Sequence, residues 1–353
     1  MMLRDVQWRD ELTRRFPKLS RLGAGNYVVG GAIRDLLLGR EPADVDVASI
    51  DPHAAAKKIR DRVIRLGGED HLTAYRVVDG DAMYDFAELL EHDLNVDLTR
   101  RDFTLNAMAI DLESNELLDP NRGRDDLAAG LVRMVRASNF DDDPLRILKG
   151  VRMAVKYGFE IEGATLEAIR TRASRILDVA PERVTYELSV IFSSQQLRRA
   201  LTLLRETNLA EALGLSFREA PGDDLSVAAA YTLLVDDPRA YSERWRWSAT
   251  LTREVLTLQR LMQQHDRLAL YDAGETIARQ LPPLVAGEPL DWPDFAIKPL
   301  LNGEELAHLT GLEPGKELGT RIRALLEAQV RGEVKTRDDA VAFVNGSKWS
   351  GGL

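Results

Sequence analysis

The sequence predicts an α+β protein: a head of mixed strands and helices, followed by an all-helical remainder. Three observations carry this. An apolar run at 27–29 gives way to Gly30-Gly31, a helix-forming stretch to 38 closed by Gly39, and an alternating segment at 43–47; this is strand, glycine turn, helix, strand. Two further alternating runs, 74–78 and 82–87, flank Asp79-Gly80-Asp81, a good hairpin turn. Beyond about Ser194 amphipathic helices succeed one another, as at 197–204, 251–265 and 318–330, with breaks at Gly222, Pro238, Pro282-Pro283 and Trp292-Pro293.

The remaining elements follow in order. Residues 1–24 read as an amphipathic helix with Trp8, Leu12 and Phe16 at helical spacing, ending near Pro17. A second helix is expected over 52–66, stopped by Gly67-Gly68. Phe140 to Lys149 reads as a helix start, with Asp141, Asp142 and Asp143 at the positive end of the dipole and Pro144 in the first turn; the helix continues over 151–159.

At 353 residues the chain has room for two or more modules. It contains no cysteine, which excludes thiol chemistry and cysteine metal sites and fits a reducing compartment. No signal peptide and no membrane-length apolar run is found, so a soluble cytoplasmic protein without membrane partners is expected. Five scattered histidines form no zinc pattern. The net charge of −10 is unlike that of a nucleic-acid binder, but 146–206 holds eleven Lys and Arg against seven Asp and Glu, a local excess of four positive charges.

The chemistry starts at the glycine turn. Gly30 and Gly31 let a triphosphate approach main-chain N–H groups at a helix start, and Arg34 adds a charge one turn on. Asp44 and Asp46 lie on one face of the next strand, about 6 to 7 Å apart. Two such carboxylates repel unless a divalent cation joins them, and Mg²⁺ commonly takes one or two carboxylates plus substrate phosphates. A phosphate-cradling turn before an Asp-x-Asp strand describes nucleotidyl transfer, with one metal activating the attacking hydroxyl and another holding the triphosphate. Alone, either feature is common in turns and strand edges; the combination is more specific. Further on, Arg100-Arg101-Asp102 with Asn106 offers groups for phosphate, ribose and a base edge. Asp143 and Arg146, three apart on a helix, share a face, could pair, and present the acceptor and donors that the Watson–Crick edges of cytosine and adenine require.

Gly-Gly-x-x-Arg-Asp, Gly-Arg and Asp-x-Asp at 30–46, then Arg100 to Met108, resemble the first two motifs of the class II tRNA nucleotidyltransferase and bacterial poly(A) polymerase family. Residues 118–127 resemble the third, with Asn121 and Arg122 where Phe and Gly are usual. Asp142-Asp143-x-x-Arg146 resembles the base-templating motif, with Asp142 in place of Glu, and 180–188 the fifth motif. The resemblance is strong over 25–190 and looser beyond.

It implies a polymerase β-like nucleotidyltransferase head at 1–137, a helical neck at 138–206 and a tRNA-binding body and tail at 207–353. It makes Asp85, on the strand 82–87, the third catalytic carboxylate beside Asp44 and Asp46. Gly30, Gly31, Arg34, Arg101, Asp102 and Asn106 would bind triphosphate and ribose, and Asp142, Asp143 and Arg146 would template the base. Arg152, Glu182 and Arg183 would support the neck. Two Mg²⁺ ions, a tRNA 3′ end and CTP are the implied cofactor and partners.

Enzymes of this family that add the terminal A usually carry a flexible loop between the first two motifs. Here Asp85 reaches Arg100 within fifteen residues, so addition of the two cytidines alone is expected, with a separate A-adding enzyme following it. Full CCA addition, which also uses ATP, is the next reading. A poly(A) polymerase fits less well with this length and acidity. A silent RNA-binding relative is opposed by the intact carboxylates, and a nucleotidyltransferase for another small acceptor by the neck and tail helices.

Overall fold

The computed structural model describes residues 5–66, 74–216 and 220–346. They fall into two compact units, residues 1–194 with 199–214, and residues 195–198 with 215–353.

The first unit is built on a mixed seven-stranded sheet of order β3-β4-β5-β2-β1-β6-β7. Its strands are β1 (Asn26–Val29), β2 (Asp44–Ser49), β3 (Ile64–Leu66), β4 (Ala74–Asp79), β5 (Ala82–Glu88), β6 (Ala109–Asp111) and β7 (Leu117–Leu118). Only β2 and β5 pair in parallel; the other neighbours are antiparallel. Alternation sorts the side chains. Val28, Val45, Val47, Tyr84 and Phe86 are fully buried on one face, where α1 (Asp5–Arg15), α2 (Gly31–Leu37) and α3 (Pro52–Ile59) supply Leu12, Ile33, Leu36, Leu37 and Ile59. The Phe16 ring meets Tyr84 edge-on at 5.5 Å. Each such aromatic or branched side chain contributes about 1.5–3 kcal/mol by leaving water.

On the opposite face Val29, Ala48 and Ala109 pack with Leu89 and with Leu98 of α4 (Leu94–Thr99). Asp44 and Asp46 stand on this same face but are exposed. The cover therefore stops short of the two carboxylates and leaves them open to water.

The expected helix over 52–66 is shorter than its pattern. Asp51 caps it by accepting from Ala54 N, and Pro52 starts it, but Arg60 is extended and 64–66 form an edge strand paired with 74–76. Pairing with the sheet edge outweighs the local helix preference; Gly67-Gly68 lie outside the described residues. The first helix ends at Arg15 and a 3₁₀ turn, Pro17–Arg21, follows. The hairpin agrees with expectation: Asp79 pairs with Ala82 around Gly80, whose φ of 61° suits glycine.

After α5 (Gly123–Ala129) come α6 (Asn139–Asp142), α7 (Leu145–Tyr157), α8 (Gly163–Arg172), α9 (Pro181–Phe192), α10 (Leu197–Glu206) and α11 (Leu209–Leu213). α7 stops at Tyr157 because Gly158 takes a left-handed cap. The second unit, among its described residues, contains helices and no strand, with Ala249–Gln263 and Lys316–Val330 the longest. Its C-terminal part packs Leu301, Leu306, Leu325, Ala340 and Val344 together. Among the described residues no helix is long and apolar enough to cross a membrane.

Candidate active site

The glycine turn between β1 and α2 is where the site is tightest. Gly30 has φ 79°, which side-chain-bearing residues rarely adopt, and a Cβ there would sit 3.2 Å from Arg101 Nη1 and 3.3 Å from Asp46 Oδ2. One small residue thus brings the turn, the strand carboxylate and the arginine together. Asp46 lies directly opposite Asp85 across the parallel β2–β5 pair, and Asp85 lies opposite Arg76 across the β4–β5 hairpin. Arg76 holds Asp85 by both oxygens, Nε to Oδ1 at 2.7 Å and Nη2 to Oδ2 at 2.6 Å. Water reaches Asp46, yet the protein packed around it hinders ionisation and pushes its pKa up to about 6. Arg101 opposes that rise, while Asp44 and Asp85 add to it.

The segment from α4 to Asn106 forms the second wall. Arg101 Nε and Nη2 both donate to Asp97, at 3.0 and 2.8 Å. Asp102 accepts from Phe103 N and from Asn106 Nδ2, at 2.7 and 3.0 Å. Asn106 in turn accepts from Arg34 Nη1 at 2.5 Å. Arg34 is only 6% exposed, donates to Asp35, and its guanidinium lies 4.8 Å from the Tyr157 ring. It is therefore tied inward to Asn106, where the sequence expected it to face a triphosphate at the helix start. Tyr157 donates to Asp35 at 2.8 Å, and burial pushes its pKa up to about 12.

The 140–149 segment differs from the continuous helix start expected. Asp143 is not helical (φ −140°, ψ 94°) and separates α6 from α7. The residue before a proline is driven out of the α region, and Pro144 follows. Asp143 and Arg146 consequently do not pair. Asp143 Oδ2 accepts from Arg183 Nη2 of α9 at 3.1 Å, whereas Arg146 Nη1 donates to Asn139 O at 2.9 Å. Arg146 and Asp142 line one cleft of about 530 Å³ with Leu90, Asp97, Arg100 and Arg101. Two of the templating candidates, Asp142 and Arg146, thus share a cavity with the second motif, whereas Asp143 is held by α9.

Asn139, which the sequence reading passed over, joins these parts. It is 3% exposed and donates to both Thr99 O and Arg101 O, at 2.9 and 2.7 Å. Arg152 of α7, partly buried, pairs at 2.5 Å with the buried Glu187 of α9, and Glu182 stands beside Arg183 in the first turn of α9, along a groove with Lys149 and Tyr186. Much of the positive charge of 146–206 is spent internally: Arg172 and Arg175 pair with Asp141, Arg183 with Asp143, and Arg199 with Glu160.

The donor set fits a divalent cation completed by substrate. Among the described residues no three Asp, Glu or His groups already form a metal cage. Asp44 and Asp46 share an exposed face of β2, and Asp46 Oδ2 and Arg101 Nη1 both lie close to Gly30. Two carboxylates plus substrate phosphates are a common Mg²⁺ arrangement.

The sequence matches the family described as the poly A polymerase head domain over residues 26–92 and 76–133. It matches the probable RNA and SrmB-binding site of polymerase A over 158–217. A CCA-adding enzyme of Streptococcus pyogenes (serotype M4, strain MGAS10750) is 30% identical over 370 residues, covering 89% of this chain and 91% of the relative. One of Streptococcus thermophilus (strain CNRZ 1066) is 28% identical over 398 residues, covering 96% and 98%. Among solved structures, a Thermotoga maritima CCA-adding enzyme complexed with tRNA has a TM-score of 0.71 at 22% identity over 98% of each chain. A Bacillus stearothermophilus CCA-adding enzyme in complex with CTP has 0.71 at 23% over 96% of each. These two share the fold. Kinship along nearly the whole length leads to one conclusion: the chain belongs to the class II tRNA nucleotidyltransferase and bacterial poly(A) polymerase family, that of the CCA-adding enzymes.

Proposed function

We propose that this chain transfers cytidylate from CTP to the 3′ end of tRNA and stops after two additions. The observation that carries the choice of CC is the direct passage from β5, which ends at Glu88, through a 3₁₀ turn at Leu90–His92 into α4 at Leu94, which leaves no flexible loop between 88 and 94; residues 67–73, in the same interval between the motifs, lie outside the described residues. Full CCA addition, with ATP as a further substrate, is the second reading; the relatives named CCA-adding enzymes favour it.

In this reading 1–137 is the catalytic head, 138–206 the neck and 207–353 the tRNA-binding body and tail. Asp44 and Asp46 would hold a divalent cation, which when bound would supply charge neutralisation for the triphosphate and activation of the tRNA hydroxyl. Gly30 leaves the turn open for phosphate, and Arg101, anchored by Asp97, supplies a fixed positive charge beside it. Asp102 and Asn106 orient the ribose, with Arg34 holding Asn106 in place. Arg146 and Asp142 face the base in the shared cleft. Asp143 acts through Arg183 to keep the start of α7 against α9, supported by Arg152 and Glu187. A base that leaves these polar groups unpaired loses on the order of 1–3 kcal/mol per group, which selects against guanine and uracil.

The test is incorporation of labelled CTP and ATP, separately and together, into tRNA lacking CCA and into tRNA ending in CC. Two cytidines and no adenosine support the proposal. One adenosine after CC replaces it with full CCA addition, and a long A ladder on any RNA replaces it with poly(A) synthesis. No incorporation at all refutes the enzymatic reading.

A further inference from the structure

The carboxylate row has a fourth member that the motifs do not assign. Strand register places Arg76, Asp85 and Asp46 side by side across β4, β5 and β2, on one face of the sheet. Asp44 lies two residues along β2, and Arg101 reaches the far side of Asp46 near Gly30. We propose that Arg76 is a positioning residue of the site: it takes both oxygens of Asp85 and so decides how many carboxylates a divalent cation meets.

The geometry supports a fixed pair. Two parallel N–H to oxygen bonds, at 2.7 and 2.6 Å, are the strong and directional form of this contact. The side chains are 35% and 19% exposed, so neither partner is fully screened by water. A guanidinium bonded across both oxygens occupies the side of the carboxylate from which a cation would be chelated, and its own charge opposes a second cation there. Among the described residues neither Asp44 nor Asp46 has such a bidentate arginine partner. With the pair closed, a cation meets those two carboxylates, while Asp85 serves to hold Arg76 in the row.

This rests on the reading of the head as a cation-dependent nucleotidyltransferase. The test is titration of the full chain with Mn²⁺ alone, followed by electron paramagnetic resonance, with thermal melts to confirm that each variant is folded. Asp85→Asn, which keeps an oxygen for Arg76, is expected to leave Mn²⁺ affinity within about twofold. Asp44→Asn is expected to weaken it about tenfold or more, in the range seen when partners of a metal site are removed. Arg76→Gln releases Asp85 and is expected to tighten Mn²⁺ binding about threefold or more, with Arg76→Lys lying between. If Asp85→Asn weakens binding as much as Asp44→Asn, or Arg76→Gln leaves it unchanged or weaker, the role of Arg76 is overturned. If the variants give that result while the wild-type protein binds Mn²⁺ and incorporates CTP, the function itself stands. A wild-type protein that does neither overturns both.

Discussion

Replacing Gly123 with alanine tests whether the third-motif turn positions the ribose-binding segment. Gly123 is the first residue of α5, and a Cβ there would lie 2.2 Å from Thr104 O, 2.9 Å from Thr104 C and 3.2 Å from Met108 Cγ. Ordinary contact begins near 3.4 Å, so helix and loop must separate by about 1 Å. The obstacle is backbone and cannot rotate aside. Thr104 is also pinned: its N–H donates to Arg133 O at 2.9 Å, its O accepts from Ala107 N at 2.9 Å, and its hydroxyl donates to Asp126 at 2.7 Å. Overpacking of this kind costs about 1–3 kcal/mol, and losing one of those hydrogen bonds adds about 1 kcal/mol. Gly123→Ala should therefore destabilise by about 2–4 kcal/mol in urea denaturation. Asp102 and Asn106 flank Thr104, and a displacement near 1 Å can cost on the order of 10²-fold in rate, so CTP turnover should fall even where the protein remains folded. Gly163→Ala is the control: it opens α8, has nothing within 4 Å of a Cβ, and should change stability by less than about 0.5 kcal/mol. A Gly123→Ala protein as stable and active as the control would refute the argument.

Two further perturbations follow. Arg152→Ala leaves Glu187, 4% exposed, without its 2.5 Å partner and should cost about 3–5 kcal/mol in denaturant unfolding, whereas Arg152→Met with Glu187→Leu should recover most of the loss; equal damage from both would show that packing matters more than charge. For Asp46 the folded pKa of about 6 exceeds the ordinary 3.8, so the folded state holds the proton more tightly. Its contribution is fully present below 3.8 and is lost as pH rises through about 6. Metal-free Asp46→Asn should therefore match wild type near pH 4 and exceed it by about 1 kcal/mol at pH 7.5, a value reduced because water reaches the carboxylate. A variant less stable than wild type at pH 7.5 would contradict this.

Some of the site that sequence reading missed was nonetheless written in local chemistry. A two-residue turn at Gly80-Asp81 pairs 79 with 82, and counting back along both strands sets Arg76 opposite Asp85. The turn residues alone therefore carry the register inward to this pair. Likewise Pro144 already disfavours a helical Asp143, so the break between α6 and α7 was legible even though a continuous helix start was expected. Asn139 gave no such signal, since its two carbonyl partners lie 38 and 40 residues away.

Residue order was enough for the head elements around Gly30 and Asp44-x-Asp46, the 79–82 hairpin and the helical remainder, because periodicity and turn chemistry act over a few residues. Tertiary structure decided which charges meet. Arg34 turns inward to Asn106 across 72 residues, and Asp143 is held by Arg183 across 40. The segment 64–66 became a sheet edge because a neighbouring strand offered hydrogen bonds that a longer helix would have forgone. Ion pairs and strand edges take whichever partner packing brings within about 3 Å, and for partners this far apart, outside a common hairpin, spacing along the chain carries no information about that choice.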